Sequence, residues 1–311
     1  MTASMDVVTA FAPATVANLG PGYDLLGLAI TGIGDTVVAR RTSEPGVTIA
    51  AITGDDGRLP TDATENTAGI AALETLRRAG VDAGVALEVH KGMPIGSGLG
   101  SSAASAAAAA FATNALIGAP LRRVELVDAC VEAEAAVAGR HADNVAPALL
   151  GGLVLVQDLD PLRVLRLPLP QDLVVVVVTP VFELSTRAAR AALPASITLQ
   201  DRVRNGGRLA TLISACYADD LALLGDAVAD DVVTPARAAL VPGASAVMDE
   251  ARRAGALGSS ISGSGPSVFA FCHARPVAER VRAAMIAAFA DAGLDASGVI
   301  SPADCPGAVL L

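Results

Sequence analysis

The segment HKGMPIGSGLGSSAASAAAAAF, from His90 to Phe111, constrains this chain more than any other. Pro94, Gly96 and Gly98 disfavour a helix, whereas the alanines after Ser102 favour one strongly. A helix must therefore begin near Gly100, directly after a flexible glycine loop. At such a start the unpaired N–H groups and the positive end of the macrodipole coincide. Glycines without a Cβ let an anion approach the backbone closely. Alanines let the helix pack tightly against its neighbours. Ser101 and Ser102 can cap the helix or offer a hydroxyl to a phosphate or a metal. Two common phosphate loops do not fit. G-x-x-x-x-G-K-[ST] needs a lysine where Ser101 stands, and G-x-G-x-x-G fails because the glycines fall at 96, 98 and 100. Taken alone, the loop reads equally well as an anion site and as a plain turn before a helix.

Charge and composition narrow the partners. The 311 residues carry a net charge of −10 and are 52% hydrophobic but only 3% aromatic, with no Trp. Nucleic acid and anionic membrane surfaces both call for a basic protein, so neither is expected as a partner. A phosphate ligand stays open, because backbone amides hold phosphate without net positive charge. Lys91 is the sole lysine. A role in phosphate binding is open to it, but solvation is the commoner fate of such a side chain. Cys130, Cys216, Cys272 and Cys305 are widely spaced, which predicts free thiols rather than a zinc site or a disulfide framework. No basic leader precedes a long apolar run, and LVVVVVTPVF is too short to span a bilayer. The expectation is a soluble, cytoplasmic protein.

Turn residues and periodicity divide the rest. MDVVTAFA, DTVVARR, GVTIAAI and GVALEVH read as strands. NTAGIAALETLRRAG reads as a helix ending at Gly80, and LRRVELVDACVEAEAAVAG as another. GGLVLVQDLDPLRVLRLPL predicts a strand pair turning at Asp160-Pro161. The linker LPLPQD and a fresh strand, LVVVVVTP, follow. Helices are expected at about 186–193, 201–229 and 244–254, then two strands around a glycine turn in LGSSISGSGPSVFAFCH, and a helix in PVAERVRAAMIAAFADAG. Strands and helices mix without regular alternation, so the prediction is an α+β protein of two domains, 1–170 and 171–311.

The string PIGSGLGSSAAS, with every fixed position present from Pro94 to Ala104, resembles the nucleotide loop of the GHMP kinases. Two other segments strengthen the resemblance. APATVANLGPGYDLLGLAI (12–30) is similar to the first motif of that family, and GSSISGSGPSVFAF (258–271) to the third. EAEAAVAGRHADNVAPALLGG, STRAARAALP and PARAALVPG are similar to segments of the homoserine kinase branch, in the same order along nearly the whole chain. The resemblance implies an N-terminal mixed α/β nucleotide-binding domain and a C-terminal ferredoxin-like α+β domain. It implies an ATP-dependent kinase with Mg²⁺ that phosphorylates L-homoserine in threonine biosynthesis. A homodimer is left open.

By resemblance, Pro94, Ile95, Gly96, Ser97, Gly98, Leu99, Gly100, Ser101, Ser102, Ala103 and Ala104 hold the nucleotide phosphates, with Asn66 at the adenine. Asn66 can equally be the N-cap of the helix it precedes. Ser102 and Glu134 are the implied metal ligands, and Ser101 and Glu132 are their neighbours. Two residues apart on a helix, Glu132 and Glu134 point to different faces, so only one should reach the metal. Arg190 and Arg237 resemble a carboxylate clamp, a task that suits a fork of N–H donors. Asp24 resembles the ammonium partner. Asn18, Asn144, His141 and Thr186 resemble pocket residues, with Asn18 and Asn144 at the reacting hydroxyl. Asp143 is read as structural or electrostatic rather than as a catalytic base. One departure is Thr234, which stands where the family often has Glu and so removes a partner for Arg237. Two alternatives remain: a GHMP kinase acting on another alcohol, and a nucleotide sensor without turnover. A dinucleotide oxidoreductase is the weakest reading, since the glycine spacing is wrong for it.

Overall fold

The computed structural model describes residues 6–137 and 139–311. The alanine segment becomes a buried helix, α2 (Ser101–Leu116), and Ala103, Ala104, Ala106 to Ala110 and Ala112 are fully shielded from solvent. Only small side chains permit so close an approach on every side, and a helix apolar all round belongs in a core. It packs on strands β1 (Val7–Ala17) and β2 (Leu26–Thr42), between helices α1 (Thr67–Ala79) and α3 (Arg123–Val137). Asn66 caps α1 by accepting from the Ala68 N–H at 2.9 Å, and Gly80 closes it in the left-handed conformation. The cap that the sequence offered for Asn66 is thus formed.

The first sheet has seven strands. Its main path runs from β11 (Val309–Leu310) through β1 and β2 to β4 (Gly84–His90) and β3 (Gly46–Thr53). The other end of β2 pairs with β5 (Leu153–Leu159), which forms a hairpin with β6 (Leu162–Leu167). Between α3 and β5 lies a short helix, α4 (Val145–Leu150). The second sheet contains β7 (Val174–Pro180), β8 (Gly258–Ile261), β9 (Val268–Cys272) and β10 (Ala296–Pro302), in the spatial order β10-β7-β9-β8 with every pair antiparallel. That order, with helices between β7 and β8 and between β9 and β10, is the ferredoxin-like arrangement. Five helices lie between β7 and β8: α5 (Thr186–Ala191), α6 (Leu199–Ala218), α7 (Leu221–Ala227), α8 (Val233–Ala238) and α9 (Ala244–Arg253). Helix α10 (Arg275–Asp291) joins β9 to β10.

The valine run of β7 lacks alternation because both of its faces are buried. Val176 and Val178 pack with Val247, Met285 and Phe289 under α9 and α10. Val175 and Val177 belong to the main core, with Leu212, Cys216 and Phe271. The second sheet is therefore packed on both sides, and its inner face is continuous with the first core. The last strand, β11, returns to pair with β1 of the first sheet.

Several elements differ from the sequence expectation. The helix expected over 201–229 breaks at Asp219, which takes φ 57, and Asp220 then caps α7 through the Leu223 N–H. The first half of β2, β10, β11, α4 and α8 were not anticipated. Lys91 is not solvated. Its ammonium is buried on Asp35 and donates also to the Ser101 carbonyl (2.7 Å) and Ser105 Oγ (2.8 Å). Asp35 further accepts from the Ser105 hydroxyl at 2.6 Å and the Gly92 N–H at 3.0 Å. This network ties β2 to the start of α2. Asp35→Ala would leave a buried ammonium without its counter-charge. It should cost about 3–5 kcal/mol in urea denaturation, and adding Lys91→Met should restore part of the loss. A double variant less stable than Asp35→Ala alone would refute this account.

Candidate active site

The glycine loop is held by its carbonyls. Ser267 donates to the Ser97 carbonyl through both its N–H (3.2 Å) and its hydroxyl (2.6 Å). Ser262 Oγ donates to the Gly98 carbonyl at 2.7 Å, and the Thr15 N–H to the Leu99 carbonyl at 3.0 Å. Gly96, Gly98 and Gly100 have φ of 68, 77 and 67, in the left-handed region that favours glycine. A Cβ on Gly98 would also stand 2.5 Å from the Gly265 carbonyl oxygen. The amides face the other way. Among the described residues, no backbone N–H from Gly96 through Ala103 has a protein acceptor, and α2 has no side-chain cap. The loop presents a row of free donors at a helix N-terminus, which is an anion-binding surface.

The donors of Gly96, Ser97, Gly98, Gly100, Ser101 and Ser102 belong to residues that line a cleft of about 570 Å³ between the two sheets. Ile95, Gly96, Ser97, Gly98, Gly100, Ser101 and Ser102 line it. So do Asn18, Asp24, Asn66, Glu134, His141, Asn144, Thr186, Arg190 and Arg237. Pro94, Leu99, Ala103 and Ala104 do not line it: Leu99, Ala103 and Ala104 are buried in the main core, and Pro94 lies in the approach to the loop. The Asn66 side chain is already engaged, by the Ala68 N–H and by the Pro60 carbonyl (2.9 Å), which leaves one N–H for a ligand.

Glu134 and Glu132 separate as helix geometry requires. Glu132 pairs with Arg140 at the surface, 3.0 Å away. Glu134 is 2% exposed and its Oε1 has no hydrogen-bond partner. Burial raises its pKa, while His141 and the Ser102 hydroxyl work in the opposite direction. The Ser101 hydroxyl is also buried and unpartnered. The free Glu134 Oε1, beside the Ser102 hydroxyl at the start of α2, fits a hard divalent cation shared with a phosphate. No cluster of three or more His, Cys, Asp or Glu able to hold a metal exists among the described residues, so phosphate oxygens would have to complete such a shell.

His141 stands between two acids, with Nδ1 3.3 Å from Asp143 and Nε2 3.9 Å from Glu134. Burial pulls its pKa down, but Asp143 and Glu134 outweigh that and raise it to about 8. Asn144 accepts from the Thr15 hydroxyl at 2.8 Å, beside Gly100. Asn18 donates to the Gly263 carbonyl at 2.9 Å and accepts from the Asp24 N–H at 3.1 Å.

The two arginines differ sharply. Arg190, on α5, forms a bidentate pair with Asp24, at 3.1 and 3.2 Å. Arg237, on α8, is only 3% exposed and has no carboxylate partner; it donates to the Gly263 carbonyl at 2.6 Å and leaves its Nε unsatisfied. Burial lowers its pKa. Thr234 does not reach it, pairing instead with Ser260 at 2.8 Å and donating its N–H to Asp230 at 2.5 Å. A buried guanidinium with a free donor in a cleft is a receptor for an anion. Tyr23, against which both guanidiniums rest, was not singled out in the sequence; its place beside Asp24 was the only signal.

Comparison with known proteins agrees with this geometry. Residues 66–152 match the model of the GHMP kinases N terminal domain, and residues 212–291 that of the GHMP kinases C terminal domain. The chain is 45% identical to homoserine kinase of Arabidopsis thaliana over 91% of its own length and 78% of the plant protein's. It is 42% identical to homoserine kinase of Chlorobaculum tepidum over 99% of both chains. The crystal structure of homoserine kinase from Cytophaga hutchinsonii superposes with a TM-score of 0.97 at 41% identity, covering 100% of this chain and 99% of that one. Galactokinase of Lactococcus lactis, at 18% identity and a TM-score of 0.73, shares the fold. The chain belongs to the GHMP kinase family and groups within it with the homoserine kinases.

Proposed function

We propose that the chain transfers the γ-phosphoryl group of ATP to the side-chain hydroxyl of L-homoserine, giving O-phospho-L-homoserine and ADP. One observation carries the nucleotide part: the unbroken run of free amides from Gly96 through Ala103, at the N-terminus of a helix. The kinship to homoserine kinases and the unpaired Arg237 support the acceptor.

The chain's own groups divide the work. The loop amides bind the triphosphate, and Asn66 offers its remaining N–H to the adenine. Arg190 and Arg237 take the substrate carboxylate and Asp24 its ammonium, so each substrate charge meets its opposite. Asn18 and Asn144 orient the hydroxyl, and His141 lines the same cleft between Asp143 and Glu134. Asp143, 3.3 Å from His141 Nδ1, steadies that ring rather than taking a proton. A loose transition state needs positioning and charge more than it needs a base. Ser102 and Glu134 would hold Mg²⁺, whose charge offsets that of the phosphates when it is bound. The four cysteines are buried and free, which suits a reducing compartment such as the cytoplasm. Among the described residues no helix is long and apolar enough to cross a membrane.

Purified protein with ATP and Mg²⁺ should release ADP only when L-homoserine is present; equal release without it would defeat the substrate reading. Arg237→Ala should raise the KM for L-homoserine on the order of 100-fold, the usual cost of truncating a buried charged contact. An unchanged KM would point to a different alcohol. Glu134→Gln removes a buried carboxylate that lacks a full set of partners. Its melting temperature without metal should be at or above that of the original chain, while turnover falls about 100-fold or more. Undiminished turnover would remove Glu134 from the metal site.

A further inference from the structure

The Tyr23 ring bears on two cations at once. The Arg237 Cζ lies 5.1 Å from its centroid and the Arg190 Cζ 5.6 Å. Two guanidiniums beside one another repel, and Arg190 adds to the burial that already lowers the Arg237 pKa. An aromatic face offsets such repulsion, because its quadrupole attracts a cation within about 6 Å of the centroid. Arg190 has a second anchor in Asp24, but the only hydrogen bond of Arg237 is to the Gly263 carbonyl. The ring is thus a direct contact that both arginines share. Its own position is fixed by a tight turn in which Asn18, Leu19 and Asp24 all take left-handed φ, of 71, 50 and 55. Non-glycine residues enter that region at a cost, so the turn is held there by its surroundings. Burial raises the pKa of the phenol, which stays neutral and adds no charge to the pair.

We propose that Tyr23 is a positioning residue whose ring sets the spacing of Arg190 and Arg237 and thereby governs how tightly the substrate carboxylate is held. The assignment rests on the proposed function for the identity of that carboxylate. It makes the ring, not the hydroxyl, the working part. Loss of the ring weakens recognition of the acid group and leaves the nucleotide end of the cleft alone.

The test compares Tyr23→Phe with Tyr23→Leu. Tyr23→Leu should raise the KM for L-homoserine about 5- to 30-fold, with kcat and the KM for ATP within about two-fold. Tyr23→Phe should behave like the original chain. If Phe does as badly as Leu, or if kcat and the KM for ATP fall out of range together, the ring assignment is wrong. A second arm uses the composition of the chain, which has no Trp and two Tyr. Tyr217 is exposed on α6 and lies outside the cleft, so in a Tyr217→Phe background the tyrosine emission comes from Tyr23. L-homoserine should change that emission saturably, whereas 3-aminopropan-1-ol, the same molecule without its carboxylate, should not. Silence towards L-homoserine would overturn the inference. A protein that releases no ADP with L-homoserine, yet whose Tyr23 emission answers to it and not to the amino alcohol, would overturn the substrate reading and keep the ring assignment.

Discussion

The glycine turn of the second sheet and strand β1 of the first together hold the glycine loop through three carbonyls, and the rest of the site depends on that grip. Ser262, Ser267 and Thr15 take the carbonyls of Gly98, Ser97 and Leu99. A peptide unit whose carbonyl is fixed inward must present its N–H on the opposite side. The free amides of Gly98, Leu99 and Gly100 follow from that packing, and those of Ser101 to Ala103 from the start of a helix. Two serine hydroxyls and two backbone N–H groups make the contact, and glycine at 98 is required both by its φ of 77 and by the Gly265 carbonyl that a Cβ would strike.

The Lys91–Asp35–Ser105 network works beneath the same helix in a different way. All three ammonium donors are taken by protein atoms, so Lys91 anchors the first turn of α2 through the Ser101 carbonyl. Its charge reaches a bound phosphate only through space. Arg237, equally well buried, keeps a donor free. One cation has every donor satisfied; the other has an Nε without a partner among the described residues. In a chain of net charge −10, local placement rather than overall charge makes the cleft receptive to anions.

How much of this could be read in the sequence follows from the range of each interaction. The loop, the helix start at Ser101 and the separation of Glu132 and Glu134 onto different faces of α3 were legible because they depend on neighbours within a turn or two. The break at Asp219 was not: Asp in a left-handed conformation lacks the signature that a glycine gives. The even burial of β7 concealed which of its faces looks to which core. Lys91 was misread as solvated because its partner, Asp35, is 56 residues distant and reaches it only once β2 and β4 have paired. Tyr23 escaped notice for a similar reason. Its partners lie on α5 and α8, far along the chain, and nothing local marks a ring that faces two arginines.

The same turn also ties the two ends of the cleft together. The Gly263 carbonyl accepts from both Asn18 and Arg237, and the Gly263 N–H donates to the Ala17 carbonyl at 3.1 Å. Its neighbour Ser262 holds Gly98. The residues assigned to the acceptor and those assigned to the nucleotide are therefore referenced to one short piece of backbone. Phosphoryl transfer depends on the distance between an attacking oxygen and a phosphorus, and errors of about an ångström are costly. Were each end anchored to its own sheet, any shift of one sheet on the other would change that distance. With the carbonyls of Ser97 and Gly98 and the side chains of Asn18 and Arg237 all fixed to residues 262–267, a small shift moves the glycine loop and those side chains together and leaves their separation intact.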